Sequence, residues 1–407
     1  MKILLINHYA GSPRYGMEYR PFYLASAWKN AGHEVTLVAA SYSHLRIQQP
    51  VVEAQYVEES IDGIPFKWLK TPTYQGNGLG RVLNIFSFVF QLFRFHKKLS
   101  LSKPDVVIAS STYPLDFYAA RYLAHKNNAK IVFEVHDIWP LTLIELGKLS
   151  RRNPFVCLLQ LAEDFAYKHA DHVISLLPKA VDHMENHGMR REKFKYIPNG
   201  IDVDSWAQST DQLPSAHDEK ISAACDEGHL LLGYAGGHGL ANALNFFIQA
   251  AALLRQLPIT FFFLGNGPEK QALQQASMEM NLKKICFLDA IAKPAVPQFL
   301  GKMDGLFLGW QRKPIYRFGI SPNKIFDYMM AGKPIIHAVD AGNDIVEEAG
   351  AGISCEPENP QAIATACKQL LEMTAEQRHD MGQRGRHYVL EKHSYHILAE
   401  EFLEVIS

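Results

Sequence analysis

Short apolar runs along the chain alternate with longer stretches in which apolar positions recur every three or four residues. The first run, Lys2–Asn7, leads into a loop containing Gly11 and Gly16. Arg20–Ala31 follows, with spacing that predicts a helix stopped by Gly32. His33–Ala39 predicts the next strand. Val51–Leu69 predicts a hairpin turned by Asp62-Gly63. Asp105–Ala109, Lys130–Val135 and His172–Leu176 predict further short strands separated by helical stretches. Continuous apolar strands alternating with helices imply a parallel sheet covered on both faces.

The pattern then restarts. His229–Tyr234 predicts a strand, Ala235–Gly239 a glycine-rich loop and Ala241–Gln256 a helix. Ile259–Leu264 predicts a strand ending in Gly265-Asn266-Gly267, and Ile285–Leu288, Gly305–Leu308 and Pro334–Ala338 predict three more. Between the halves, Ala207–Asp226 is polar and weakly periodic, and reads as a linker. The expected fold class is therefore α/β, with two doubly wound domains in tandem, 1–207 and 208–385, facing a cleft. In such sheets, ligands bind beyond the C-terminal strand ends.

One stretch departs from the pattern of half-polar helices. Arg81–Lys98 has polar residues at Arg81, Asn84, Ser87, Gln91, Arg94 and Lys98, all on one helical face, and the remainder, apart from His96 and Lys97, is Val, Leu, Ile and Phe. Such a helix is either packed on the sheet or lies in a membrane interface, where Arg94, Lys97, Lys98 and Lys103 suit anionic headgroups.

Composition narrows the class. At 407 residues, two or three domains are expected. Hydrophobic residues are 47% and charged residues 20%, an ordinary globular balance. The net charge of −1 argues against a nucleic-acid binder, which needs excess cations. Residues 1–207 carry 24 basic and 19 acidic side chains, and residues 208–407 carry 17 and 23, so the first half is the one suited to an anionic partner. Five scattered cysteines without a CxxC pair fit buried thiols in a reducing cytosol. The apolar run at Met1–Asn7 is too short for a signal peptide, and no stretch of about 20 apolar residues exists to span a membrane. A cytoplasmic location follows as the expectation.

Candidate chemistry clusters at loops after strands. Gly236-Gly237-His238-Gly239 either terminates a strand or offers backbone N–H groups to a phosphate without a metal. It matches neither GxGxxG nor the Walker A pattern. The loop containing Gly16 occupies the same place in the first half. In Tyr316–Ala338, Ser321 or Asn323 caps a helix that Pro322 helps to start and Gly332 ends. An anion at that helix start would meet free N–H groups and the Lys324 ammonium, while Asp327, one turn on, suits a pair of sugar hydroxyls. At the end of a first-half strand, His136 suits a proton-accepting or acceptor-holding role, Asp137 stands beside it, and Trp139 either stacks on a sugar or shapes the loop. Asp202-Val203-Asp204 formally matches a metal motif, but it lies in a turn without a third ligand nearby. No HExxH, GxSxG, EF-hand or Cys/His zinc spacing is present, and no metal is expected.

The tandem halves, the Pro198-Asn199-Gly200-Ile201-Asp202 turn, the Gly265–Glu269 loop and the Pro322–Pro334 segment together resemble family 4 glycosyltransferases of the GT-B fold, over essentially the whole chain. Glu134–Pro140 and Ser321–Tyr328 look most like the bacterial O-antigen and capsule branch that includes N-acetylfucosamine transferases. The resemblance implies two Rossmann-like domains. A C-terminal segment, 386–407 with its helix Tyr388–Ile406, would return to the first of them. It implies retaining transfer from a nucleotide sugar, UDP-linked in the nearest branch, with no metal and no further cofactor. The acceptor would be a glycan, often linked to polyprenyl diphosphate, in surface polysaccharide synthesis, with peripheral membrane contact through 81–98.

By the same resemblance, Gly16, Gly237, His238, Asn266, Asp289, Ile291, Lys313, Ser321, Pro322, Asn323 and Asp327 would bind the donor. His136 and Lys324 would be catalytic, and Asp137 and Trp139 would bind the acceptor. The chain departs from the family pattern of Glu, seven residues, Glu: Asp327 takes the second place, while Gly319 or Phe318 takes the first. Leu240, Ala241 and Asn242 stand where a basic pair is usual, leaving His238, Lys324 or Lys313 to supply positive charge. Two rivals share the fold. One is a sugar-nucleotide 2-epimerase, which needs a carboxylate-rich site that the matched motifs lack. The other is a non-catalytic nucleotide-sugar-binding subunit.

Overall fold

A computed structural model describes residues 1–76, 78–208 and 211–407 of the protein. The chain forms two compact units: Met1–Asn199 with Tyr395–Ser407, and Gly200–Ser394.

The first unit holds strands β1 (Lys2–Ile6), β2 (Glu34–Ala40), β3 (Tyr56–Ile61), β4 (Ile64–Leu69), β5 (Val106–Ala109), β6 (Lys130–Val135), β7 (His172–Ser175) and β8 (Phe194–Tyr196). They form one sheet in the order β3-β4-β2-β1-β5-β6-β7-β8. Only the β3–β4 hairpin is antiparallel, and its turn residues Asp62 and Gly63 adopt the left-handed backbone that Asp-Gly favours. The strand order reverses between β1 and β5, so the loops that follow them diverge and open a crevice at the C-terminal edge.

The second unit repeats the design with β9 (Leu230–Ala235), β10 (Ile259–Leu264), β11 (Ile285–Leu288), β12 (Gly305–Gly309), β13 (Ile335–Ala338) and β14 (Gly352–Cys355). Their order is β11-β10-β9-β12-β13-β14, all parallel. Alternation splits each apolar run between the two faces. Phe261 and Phe263 of β10 join one core with Leu232 and Tyr234, while Phe262 and Leu264 join the other with Leu231 and Ala235. Here the order reverses between β9 and β12.

Several boundaries differ from the sequence expectation. The polar segment 207–226 is not a linker. Its Ser215–Asp226 is a helix that buries Ile221 and Ala224 in the second core; Ser209 and Thr210 lie outside the described residues. The division falls instead at Asn199, because Ile201 already belongs to the second core. Of the expected C-terminal segment, the helix Ala375–Lys392 stays with the second unit and only Tyr395–Ile406 belongs to the first. There Phe402 packs 5.0 Å from Trp28, whose indole N–H donates to the Ala399 carbonyl at 3.0 Å. The expected helix at 241–256 begins only at Leu244, after a tight turn at Leu240–Asn242. Among the five cysteines, Cys157 and Cys225 are exposed, so the thiols are not uniformly buried.

The helix Leu79–Arg94 buries Asn84 and Gln91 together with Ile85, Phe88 and Leu92, while Arg94 stays exposed. Asn84 donates to Thr71 Oγ1 at 3.0 Å and Gln91 to the Lys70 carbonyl at 3.2 Å. Its outer face carries Leu79, Leu83, Phe86, Phe90 and Phe93, with Leu83 and Phe90 each 63% exposed. Among the described residues, no helix is long and apolar enough to cross a membrane.

Candidate functional site

In the second unit, the crevice where the strand order reverses is floored by Gly236, which follows β9. Its φ is +142°, and a Cβ there would lie 2.7 Å from the Lys324 Cε. Only glycine lets this lysine lie against the loop. Gly265, which follows β10, has φ +138°, and a Cβ there would lie 2.0 Å from the Gly236 carbonyl oxygen. The two loops therefore pack backbone against backbone. The His238 N–H donates to the Asn266 carbonyl at 2.8 Å, and the Glu269 N–H to the His238 carbonyl at 3.0 Å.

Lys324 is tied into this loop. Its Nζ donates to Tyr234 Oη at 2.7 Å and to Asn242 Oδ1 at 2.8 Å. Tyr234 Oη and Asn242 Nδ2 both donate to the Gly237 carbonyl, at 2.7 and 2.9 Å. Burial pushes the Lys324 ammonium down to about 8. With no carboxylate among these partners, the cation is held by neutral dipoles and keeps its attraction for an anion.

Lys324 lies in the first turn of the helix Asn323–Met330. Pro322, not Ser321 or Asn323, occupies the cap position, and it makes no side-chain cap bond. Proline fits there because it has no N–H to leave unpaired. Asp327 follows one turn later, half-buried; burial pushes its carboxyl up to about 6, with the Lys293 ammonium pulling the other way.

The remaining second-unit candidates are less uniform. His238 is fully buried among Tyr234, Phe263 and Phe287, and neither ring nitrogen has a hydrogen-bond partner among the described residues. Burial, with Lys270 and Lys324 nearby, pushes it down to about 4. It is neutral at pH 7 and does not supply the positive charge that the sequence reading allowed it. Asn266 is exposed and folds its side chain onto the Gly267 N–H at 2.9 Å. Asp289 is exposed and paired with Lys270 at 2.8 Å. Ile291 packs against the core, and Lys313 sits half-buried before the tight turn Pro314–Phe318.

The first unit brings together a second group. Glu134 ends β6 fully buried, and its Oε1 lies 2.9 Å from the equally buried Arg20 guanidinium. Arg20 also donates to the carbonyls of Ile197 and Pro198. On its other oxygen, Glu134 accepts from Ser110 Oγ at 2.6 Å and lies 3.1 Å from His136 Nε2. Burial alone would raise the Glu134 carboxyl; Arg20 and His136 overcome it and hold the group well below the usual carboxylate range. Glu134 and Ser110 thus hold the ring of His136 just past the end of β6.

Asp137 and Trp139 are placed otherwise. Asp137 accepts from the Ile138 N–H at 2.9 Å and from Thr142 Oγ1 at 2.6 Å, which closes its own turn. Trp139 is 7% exposed in a core with Tyr9, Ile85 and Tyr113, and the Arg81 guanidinium lies 5.4 Å from its ring centroid. The ring shapes the interior instead of offering a face. Gly16 holds φ +95° and bridges to Ser12 and Arg46, fixing the loop after β1.

Sequence reasoning missed Tyr234, Asn242, Ser110 and Arg20. Asn242 had one signal, since it stands where the resembled family carries a basic pair. Tyr234 and Arg20 read as ordinary strand and helix residues.

Comparison with known proteins agrees with this division. Residues 15–205 match the family described as Glycosyltransferase Family 4, and residues 230–373 match Glycosyl transferases group 1. WbjE of Pseudomonas aeruginosa, assigned by name as a glycosyltransferase, is 22% identical over 77% of this chain and 78% of its own. WcaI of Escherichia coli (strain K12), assigned by name to colanic acid biosynthesis, is 24% identical over 84% of each chain. Among solved structures, sucrose-phosphate synthase from Thermosynechococcus elongatus superposes with a TM-score of 0.72 at 16% identity, covering 100% of this chain and 98% of its own. Anabaena HepE in complex with UDP gives 0.69 at 16% identity, covering 99% of both chains.

Proposed function

The chain is thus a glycosyltransferase of the GT-B fold, built from a family 4 domain followed by a group 1 domain, and we propose that it moves a sugar from a UDP-linked donor to a lipid-linked glycan in surface polysaccharide synthesis, with retention and without a metal. The observation that carries this reading is the Lys324 cation, in the first turn of the helix Asn323–Met330, held against the Gly236–Gly237 loop. Support for UDP and for polysaccharide synthesis comes from the ligand of HepE and the assignment of WcaI.

In this reading the donor diphosphate lies on the N–H groups of Gly237 and the first turn of Asn323–Met330, with Lys324 neutralising the leaving charge. Asp327 accepts from the ribose hydroxyls, and the loop of Asp289 and Ile291 meets the base. The acceptor hydroxyl attacks from the face that the diphosphate leaves, and the leaving phosphate takes its proton. His136, steadied through Nε2 by Glu134 and Ser110, positions the acceptor with its other nitrogen. The absent first carboxylate of the family pattern leaves the choice of donor sugar to other groups. The outer face of Leu79–Arg94, next to Lys97 and Lys98, lies in the headgroup region of an anionic membrane. That location brings the enzyme to its acceptor.

Product analysis tests this directly. Purified protein, UDP-sugars and polyprenyl-diphosphate glycans in anionic vesicles should give a glycosylated lipid with the donor's anomeric configuration. An epimerised nucleotide sugar, or an inverted linkage, would overturn the reading. Leu83→Ser with Phe90→Ser should weaken vesicle binding by roughly tenfold or more, since each side chain buries apolar area in the interface. Equal flotation of this variant and the wild type would remove the membrane contact.

A pH profile gives a second check. Asp327 loses its charge as pH falls through about 6, and Lys324 loses its charge as pH rises through about 8. Affinity for UDP-glucose, whose diphosphate diester does not titrate in this range, should therefore peak between these values and fall on both sides. Asp327→Asn should abolish the acid limb and keep the alkaline one. A flat profile would separate both residues from donor binding.

A further inference from the structure

A cluster that shares no residue with those assigned to transfer has the donor set of a metal site. The helix Pro154–His169 precedes β7, and the short helix Val181–Asn186 follows it. His183 and His187 are four apart, with ring centroids 4.5 Å from one another. Facing them are Glu163 and Asp164. His183 Nε2 lies 3.5 Å from Glu163 Oε1, and His187 Nδ1 lies 2.8 Å from Asp164 Oδ1. One ligand atom each from Glu163, His183 and His187 all fall within 4.8 Å of one another. Tetrahedral zinc, with bonds of roughly 2.0–2.2 Å to nitrogen and oxygen, needs donors roughly 3.4 Å apart, so small side-chain shifts suffice.

The surroundings support that use. Glu163 is buried, and its ion-pair partner among the described residues is an imidazole, not a lysine or arginine. A buried carboxylate with two imidazole rings beside it offers oxygen and nitrogen donors together, the set that zinc-class ions take. Its oxygens are aimed by Tyr167 Oη at 3.0 Å and Gln160 Nε2 at 2.7 Å, and Gln160 also donates to Asp164 Oδ1 at 2.8 Å. Outer hydrogen bonds of this kind orient metal ligands. His187 remains partly exposed, giving a path from solvent.

We propose that Glu163, His183 and His187 bind one divalent transition metal of the zinc class, with Asp164 as the fourth group. Two imidazoles favour zinc, cobalt or nickel over calcium and magnesium. The bound ion staples together the two helices on either side of β7 and takes no part in transfer. The sequence hid it because His183-x3-His187 lacks the adjacent glutamate of HExxH, and its carboxylates come from another helix.

The test uses the untagged full chain, stripped with a chelator and titrated with Co²⁺, then Zn²⁺. One equivalent of cobalt should bind with the intense visible absorption of a low-coordinate site, zinc should displace it, and the melting temperature should rise. His183→Gln and Glu163→Gln should weaken uptake by about a hundredfold. His187→Gln, at a partly exposed helix end where folding is safe, should weaken it by at least about tenfold, the scale on which disturbing a metal's surroundings acts. No uptake by the folded wild type, or unchanged uptake by His187→Gln, would overturn the proposal.

Discussion

Lys324→Ala should lower the transfer rate by about 10²–10³-fold, the usual loss when one group stabilising developing charge is removed. The same change should leave the melting temperature level or higher. Both expectations come from the same geometry. The ammonium is buried against Gly236 and held by Tyr234 and Asn242, with no carboxylate among its partners in the described residues, and its basicity is depressed to about 8. A buried charge held only by dipoles is an expense to the fold that its chemistry explains. Alanine removes that expense along with the function. Thermal melts and single-turnover transfer on one preparation check both halves. Activity within tenfold of wild type would show that the diphosphate is neutralised elsewhere.

Glu134→Ala should cost about 3–5 kcal/mol, because it strands the Arg20 guanidinium without its counter-charge inside the first unit. Arg20 and Glu134 are both fully buried. The pair ties the start of the helix Arg20–Asn30 to the end of β6 and to the chain at Ile197–Pro198. The double change Arg20→Met with Glu134→Leu should recover most of the loss, since no charge is left unpaired. It should not recover activity, because His136 would lose the carboxylate that orients it. Chemical denaturation of the single and double variants measures the first claim, and transfer assays measure the second. A single variant as stable as wild type would mean that water reaches Arg20.

How far the sequence reveals this molecule depends on how locally each feature is encoded. β9 and β10 were legible because burial on both faces demands unbroken apolar runs, LLLGYA and ITFFFL. The β3–β4 hairpin was legible through Asp62-Gly63. β8 and β14 were not, since both are edge strands of three or four residues with one neighbour and half-exposed side chains. The helix Ser215–Asp226 was hidden because only Ile221 and Ala224 reach the core. In Leu79–Arg94 the periodicity was plain but its sense was not. A polar stripe normally faces water, and here Asn84 and Gln91 find partners inside.

The candidate site divides in the same way. Ser321-Pro322-Asn323-Lys324 and Asp327 lie on one helix start, so their spacing alone brings them together. The groups that hold Lys324 stand 90 and 82 residues away, and Arg20 meets Glu134 across 114 residues. Such partners leave no trace in local pattern. Burial also reassigned roles that spacing could not judge. His238 has lost its charge, and Trp139 has turned inward.

If the proposed reading holds, Lys324 and Asp327 bind a UDP-sugar in the second unit. Thermal shifts of the wild type with UDP, GDP, CMP and ADP, repeated on Lys324→Ala, test it most directly. At a hundred times the dissociation constant, a ligand adds about 2.7 kcal/mol of stability. UDP should raise the melting temperature of the wild type selectively, and Lys324→Ala should abolish that shift. No shift with any nucleotide, or a UDP shift of the same size in the variant, would contradict it.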